Sequence, residues 1–197
     1  MRVLLGGVGY RNLSDYSFGV LVTDTLAGRS WPPSVSVEDV SYNPIALVQR
    51  LDDEVLHARF DLAIVVAAVA RPGRAPGTMT VYRWDGALPD AEQIQEAVAE
   101  AVTGIISLDN TLIVTRHFAE RPPLFVVVEM EPCLHEFGDE LSEAVSSSFG
   151  RACDSVTHLV LNPEFAAALP EAPLGGGALR ERSSSAPRLS DATTRFG

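Results

Sequence analysis

The residues that could do chemistry in this sequence gather just after short apolar runs. Asp15, Asp39, Asp109, Glu129 and Glu131, with His57, His117, His135 and His158, are the groups that could bind a metal ion or move a proton. Carboxylates and imidazoles on loops at one sheet edge would suit zinc or nickel. Their spacing carries no compact signature such as H-E-x-x-H. Glu131 and His135 are four residues apart, but Pro132 lies between them and interrupts a helix there. His57 and His158 fall near expected helix ends, where an imidazole more often meets free carbonyls. Cys133 and His135 are two apart in Glu131-Pro132-Cys133-Leu134-His135. That spacing alone does not make a nucleophile and its base. Cys153 sits near the buried stripe of a helix, the ordinary place of a structural thiol.

A second kind of chemistry is suggested near the start. Gly7-Val8-Gly9-Tyr10-Arg11-Asn12 reads G-x-G-x-x-N, one glycine short of the dinucleotide fingerprint. Asp39 closes the next strand, where a ribose-binding carboxylate would stand. Tyr10, Arg11 and Asp15 would crowd a pyrophosphate at this turn. The other reading is a tight strand-to-helix turn that needs glycine for its geometry.

The elements that must position these groups follow from periodicity. Residues 3–8 form an apolar strand, and Phe18, Leu21, Val22, Thr25 and Leu26 lie on one face of the helix after it. Residues 35–40 alternate as a second strand. Asn43-Pro44 supplies an N-cap and a first-turn proline for a helix with Leu47, Val48, Leu51 and Val55 inward. Residues 61–69 are apolar on both faces, as a central parallel strand should be. Residues 78–84 form a further amphipathic strand near an edge. Asp90 and Gln93 cap a helix with Ile94, Ala97, Val98, Ala101 and Ile105 inward. Residues 111–115 are compatible with strand or helix. Residues 124–129 form a buried strand and residues 140–160 a long closing helix. From Pro163 the composition turns to Ala, Pro, Gly and Ser, which suits a flexible tail. One α/β domain over residues 1–162 is therefore expected, with residues 163–197 outside it. The carboxyl ends of its first three strands should share one edge, with the loops at 7–15, 39–43 and 70–76.

The bulk numbers exclude several roles. The chain has 197 residues, 46% of them hydrophobic, enough for one sizeable core. Its formal charge is −11, which argues against nucleic acid and against anionic membrane surfaces as partners. All 15 basic residues are arginine. No apolar run is long enough to span a bilayer. The opening enters a strand without a basic region and apolar core before it, so no signal peptide is expected. Two cysteines without metal-motif spacing suit free thiols in the cytoplasm.

The opening resembles a known family. Val3-Leu4-Leu5-Gly6-Gly7-Val8-Gly9, then Asn12-Leu13-Ser14-Asp15, then Gly19-Val20, is similar to the amino terminus of nickel–iron hydrogenase maturation proteases. Ala75-Pro76-Gly77-Thr78 resembles the P-G-T motif that follows the third strand in that family. Val126-Val127-Val128-Glu129 with Glu131-Pro132, before a long closing helix, extends the likeness to about residue 162. The resemblance implies a three-layer α/β/α sandwich around a mostly parallel sheet. It implies an endopeptidase that removes a C-terminal extension from the hydrogenase large subunit after nickel insertion, any nickel arriving with that substrate. It also implies three nickel-engaging side chains: an acid in the first loop, an Asp at the end of the third strand, and a His near the start of a later helix. Here the second acid of the first loop falls at Tyr16, with Asp15 before it, and the strand-end Asp falls at Ala67. The histidine falls at Asp109 by its Ile-Ser dipeptide or near Ile94 by helix pattern.

Asp15 and Asp109 are thus the acids that could still meet a metal. Gly7, Gly9, Tyr16, Asp39, Asn43 and Ala67 line the expected substrate crevice, and no catalytic residue is assigned. The leading expectation is a divergent relative that binds a hydrogenase large subunit, or another maturation factor, without the family's nickel-dependent cleavage. The alternatives are a working endopeptidase using Asp15, Asp39, Asp109 or His117, and a nucleotide- or small-molecule-binding protein that shares only the fold.

Overall fold

The structure is a computed structural model and describes residues 1–53 and 59–177. Val55 and His57 lie outside the described residues. The elements in order are β1 (Val3–Val8), a 3₁₀ turn (Ser14–Ser17), α1 (Phe18–Ala27), β2 (Val35–Asp39), α2 (Pro44–Asp53), β3 (Leu62–Ala68) and β4 (Met79–Trp84). Then come α3 (Ala91–Thr103), α4 (Leu108–Phe118), β5 (Leu124–Met130), α5 (Glu143–Leu161), α6 (Pro163–Ala168) and β6 (Glu171–Ala172).

Six strands form one sheet in the order β2-β1-β3-β5-β4-β6. The first four are parallel, while β4 runs antiparallel to β5. Every residue of β1 and β3 is buried, because helices cover both faces. One face carries Val3, Leu5, Ile64, Val66, Val126 and Val128 against α1 and α5. The other carries Leu4, Ala63, Val65, Phe125 and Val127 against α2, α3 and α4. This is the expected three-layer α/β/α sandwich. No single described helix is long and apolar enough to cross a membrane.

Two glycines set how closely α1 can lie on the sheet. A Cβ on Gly19 would stand 2.3 Å from the Val66 carbonyl oxygen and 2.4 Å from that of Val8. A Cβ on Gly7 would stand 2.3 Å from the Gly19 carbonyl oxygen. The glycines of the opening therefore serve close helix–strand packing. That approach also rotates α1 away from the expected stripe: Val20 and Thr23 are buried, and Thr25 is exposed.

The undecided stretch at 111–115 is helical and belongs to α4. Ser107 and Asn110 form a capping box at its start. Its β-branched side chains are buried against the sheet: Thr111, Ile113, Val114 and Thr115 are all inside. The closing helix starts three residues later than expected, with Ser142 as its N-cap.

Residues after 162, expected as a tail, form further elements on the sheet and its cores. Pro163 opens α6, Ala166 is fully buried in the α1–α5 core, and β6 adds to β4. Leu174 is buried in the second core. These few apolar residues cover core that would otherwise face water, which outweighs the Pro- and Gly-rich composition. Residues 178–197 lie outside the described residues.

Gly19→Ala should therefore cost about 2 kcal/mol or more, since overpacking here meets backbone oxygens rather than a movable side chain. Urea unfolding checks this, and an unchanged midpoint would contradict the close approach.

Candidate functional site

The parallel strands end at one edge, as the crossovers require. The loops that meet there follow β1, β2, β3 and β5. Tyr10 links the first of them to α4: its hydroxyl donates to the Gly104 carbonyl and accepts from the Ile106 N–H at 2.5 Å. This brings the first turn of α4, and Asp109 with it, to the crevice.

Asp15 is fully buried beneath this edge. One oxygen accepts from the Ser142 N–H at 2.7 Å. The other accepts from the N–H groups of Cys133 and Leu134 at 2.7 and 2.9 Å and from the Ser142 hydroxyl at 2.8 Å. Burial alone would push its pKa up. The donors of Leu134, Cys133 and Ser142 outweigh burial and hold it below the ordinary value. Asp15 thus ties the loop after β1 to the loop after β5 and to the cap of α5. Both of its oxygens are already engaged, so it is a structural anchor.

A second charged cluster lies at the ends of β3 and β5. Glu129 interrupts the apolar run of β5 and is fully buried. Its Oε1 accepts from Arg71 Nη2 at 2.7 Å and from the Tyr82 hydroxyl at 2.9 Å, and its Oε2 pairs with Arg74. The Arg71 fork also holds Asp109, Nη1 and Nη2 each donating to one carboxylate oxygen at 2.6 Å. The Arg71 backbone N–H donates to Glu131 at 2.8 Å. Gly175 closes the cluster, its N–H donating to the Tyr82 hydroxyl at 3.0 Å and its carbonyl accepting from Arg74 at 3.0 Å. Burial would raise the pKa of Glu129, but Arg71 and Arg74 together hold it low. Burial, with Glu129 alongside, pushes the Tyr82 phenol up, so it stays a neutral donor.

The other expected crevice residues carry structural work. Gly7 accepts from the Val40 N–H at 2.9 Å, and the Gly9 N–H donates to the Ser41 hydroxyl at 3.0 Å. Asp39 accepts from the Ser41 N–H at 2.9 Å and from Arg11 at 3.1 Å. Asn43 caps α2 by accepting from the Ala46 N–H at 2.7 Å. Ala67 is buried in β3, in register with Glu129 of β5. Tyr16 is half-buried, its ring 4.5 Å from that of His135. Burial first, then Glu131 and Asp15, raise its phenol pKa. His117 and His158 occupy the last turns of α4 and α5, far from a shared site with Asp15. Cys133 is exposed and Cys153 buried.

Asp15 and Asp109 are each held by other partners, Asp15 by N–H and hydroxyl groups and Asp109 by the Arg71 fork. Among the described residues, no group of three His, Cys, Asp or Glu is placed to hold a metal ion. Sequence reasoning placed the loop at 70–76 on this edge but assigned Arg71, Arg74 and Tyr82 no part in the site. The available signal was Glu129. A carboxylate inside an otherwise apolar strand requires a buried cationic partner, and Arg71 and Arg74 follow the neighbouring strand.

No family model matches the chain, and no curated protein does. Solved structures do. The hydrogenase maturating endopeptidase HybD of E. coli superposes with a TM-score of 0.60 at 25% identity, over 81% of this chain and 93% of that one. The fold is that of the hydrogenase maturation endopeptidases. A hydrogenase 2 maturation peptidase from a Thaumarchaeota archaeon superposes with a TM-score of 0.56 at 23% identity, over 81% and 98% of the two chains. The [NiFe] hydrogenase maturation protease HycI of Thermococcus kodakarensis gives 0.58 at 19%, over 82% and 93%.

On this endopeptidase fold the residues do not fit a nickel-engaging trio. The resemblance places Tyr16, whose phenol pKa is raised, and Ala67, whose side chain has no lone pair, at two of the three positions. Asp109 stands at the crevice but is forked onto Arg71, while Ile94 packs against the apolar core.

Asp15→Asn should lower stability at neutral pH by about 2–4 kcal/mol, because an amide nitrogen cannot accept from buried donors. The acid dependence has a definite sign. The Asp15 pKa is lower in the folded state, so the unfolded chain takes up the proton first as pH falls. The contribution is complete well above roughly pH 4, the ordinary aspartate value, and is lost as pH falls from there through the folded value. Wild type should lose stability across that window more steeply than Asp15→Asn. Parallel slopes in urea unfolding against pH would contradict the assignment.

Proposed function

We propose that this chain acts in nickel–iron hydrogenase large-subunit maturation by binding a protein partner at the carboxyl-edge crevice, without the nickel-dependent cleavage of its structural relatives. The partner on this reading is a hydrogenase large subunit or another maturation factor, met in the cytoplasm. One observation carries the reading: the acid left at the metal-facing edge, Asp109, is held by the Arg71 fork. The surface around the crevice supports a protein ligand. Tyr42 and Phe137 are 78% and 89% exposed on loops of this edge, and Val102 and Ile105 stand exposed beside the Tyr10 contact. Large exposed apolar side chains grouped on one edge suit a docking surface.

Purified chain mixed with a nickel-loaded precursor large subunit should form a complex and leave the precursor uncut. Removal of a terminal extension would instead establish an active endopeptidase with a relocated site. The double variant Tyr42→Ala and Phe137→Ala should weaken the complex by roughly tenfold or more with an unchanged melting temperature. Undiminished binding would place the interface elsewhere.

A further inference from the structure

Asp109 Oδ1 and Glu129 Oε1 converge on a single atom, Arg71 Nη2, at 2.6 and 2.7 Å. The Arg71 side chain is 5% exposed and its partner Glu129 is fully buried. The Arg71 Nε has no hydrogen-bond partner among the described residues. The guanidinium is thus held by its carboxylates rather than by a complete set of neutral acceptors. Two carboxylates that face one point would repel each other unless a cation stood there. In this chain the cation is covalent.

We propose that Arg71 is the built-in cation of the crevice: it fills the point between Asp109 and Glu129 that a divalent metal would otherwise occupy, so the crevice reads its partner independently of metal loading. This rests on the binding-only reading of the site, which it extends to a stage of maturation that nickel insertion does not gate. The chemistry is simple. An arginine cannot be deprotonated in this setting and cannot be displaced by a metal without leaving a buried guanidinium unpaired. Wild type therefore has no open oxygen pair to offer. Arg74 and the Tyr82 hydroxyl still hold Glu129 when Arg71 is shortened, and the first turn of α4 still carries Asp109 at the crevice.

Isothermal titration of the full chain with nickel or zinc salts tests this without any partner. Arg71→Ala should bind one divalent ion at least roughly tenfold more tightly than wild type, a difference of about 1.4 kcal/mol. Arg71→Lys, which keeps a cation in place, should behave as wild type. Adding Asp109→Asn to Arg71→Ala should abolish the gain. A folded Arg71→Ala that binds no more metal than wild type overturns the proposal, and so does a gain that survives Asp109→Asn. If Arg71→Ala melts below the assay temperature, the reading moves to thermal unfolding. Saturating nickel or zinc should then raise its melting temperature and leave that of wild type unchanged, and no rise overturns the proposal. At the level of the partner, metal-free and nickel-loaded precursor should bind wild type with equal affinity, and a preference for the loaded form overturns the proposal. Failure to bind either precursor would sink the functional reading alone, because the titration judges Arg71 without a partner.

Discussion

A carboxylate in the middle of an apolar sheet has to be paired, and much of this crevice follows from that constraint. Glu129 stands in β5 between buried neighbours, where an unpaired charge would cost a large share of the fold's net stability. Arg71 and Arg74 meet it from the loop after β3, and Tyr82 meets it from β4. Each partner then recruits its own. Arg71 fixes Asp109 at the start of α4, and Arg74 and Tyr82 fix the Gly175 turn. One buried charge therefore joins two strands, a loop, a helix start and the segment that follows α6.

Asp15 applies the same logic to the other wall. It too is a buried anion held below its ordinary pKa, but its partners are N–H and O–H groups rather than guanidinium groups. Hydrogen bonds to a charged acceptor are the strong ones, and these four cross more than a hundred residues of sequence. The loop after β5 and the start of α5 are consequently positioned by the first loop of the chain. An acid with both oxygens so engaged stabilises the scaffold. In this chain both Asp15 and Glu129 point into the fold. Tyr42, Phe137, Val102 and Ile105 stand outward, alongside exposed charged residues such as Arg11, Glu136 and Asp139.

Much of the architecture was legible in the residues. The apolar runs of β1, β3 and β5, the Asn43-Pro44 and Asp90 helix starts and the glycine turn all rest on local rules of period, capping and sterics. Such rules act over a few residues, so a single chain displays them. The ambiguity at 111–115 shows their limit. β-branched residues allow either state, and burial against the sheet, with the Ser107–Asn110 capping box, decided for helix. The segment after residue 162 shows the same limit from the other side. Its composition reads as tail, yet Ala166 and Leu174 find core to cover.

The sequence by itself determined the α/β class, most of the element order up to residue 162 other than the stretch at 111–115, the shared edge of the first three strands and the identities of the acids near it. Its resemblance to the maturation proteases led to the expectation that Tyr16, Ala67 and either Asp109 or Ile94 replace nickel-engaging side chains. Only the tertiary structure decided what those acids do. Asp15 meets Ser142 from 127 residues away, and Arg71 meets Asp109 and Glu129 from 38 and 58 residues away. Pairings at such separations depend on which strands lie side by side and at what register. They are invisible to local pattern, because any arginine in a loop could have met any carboxylate until the sheet order brought these together.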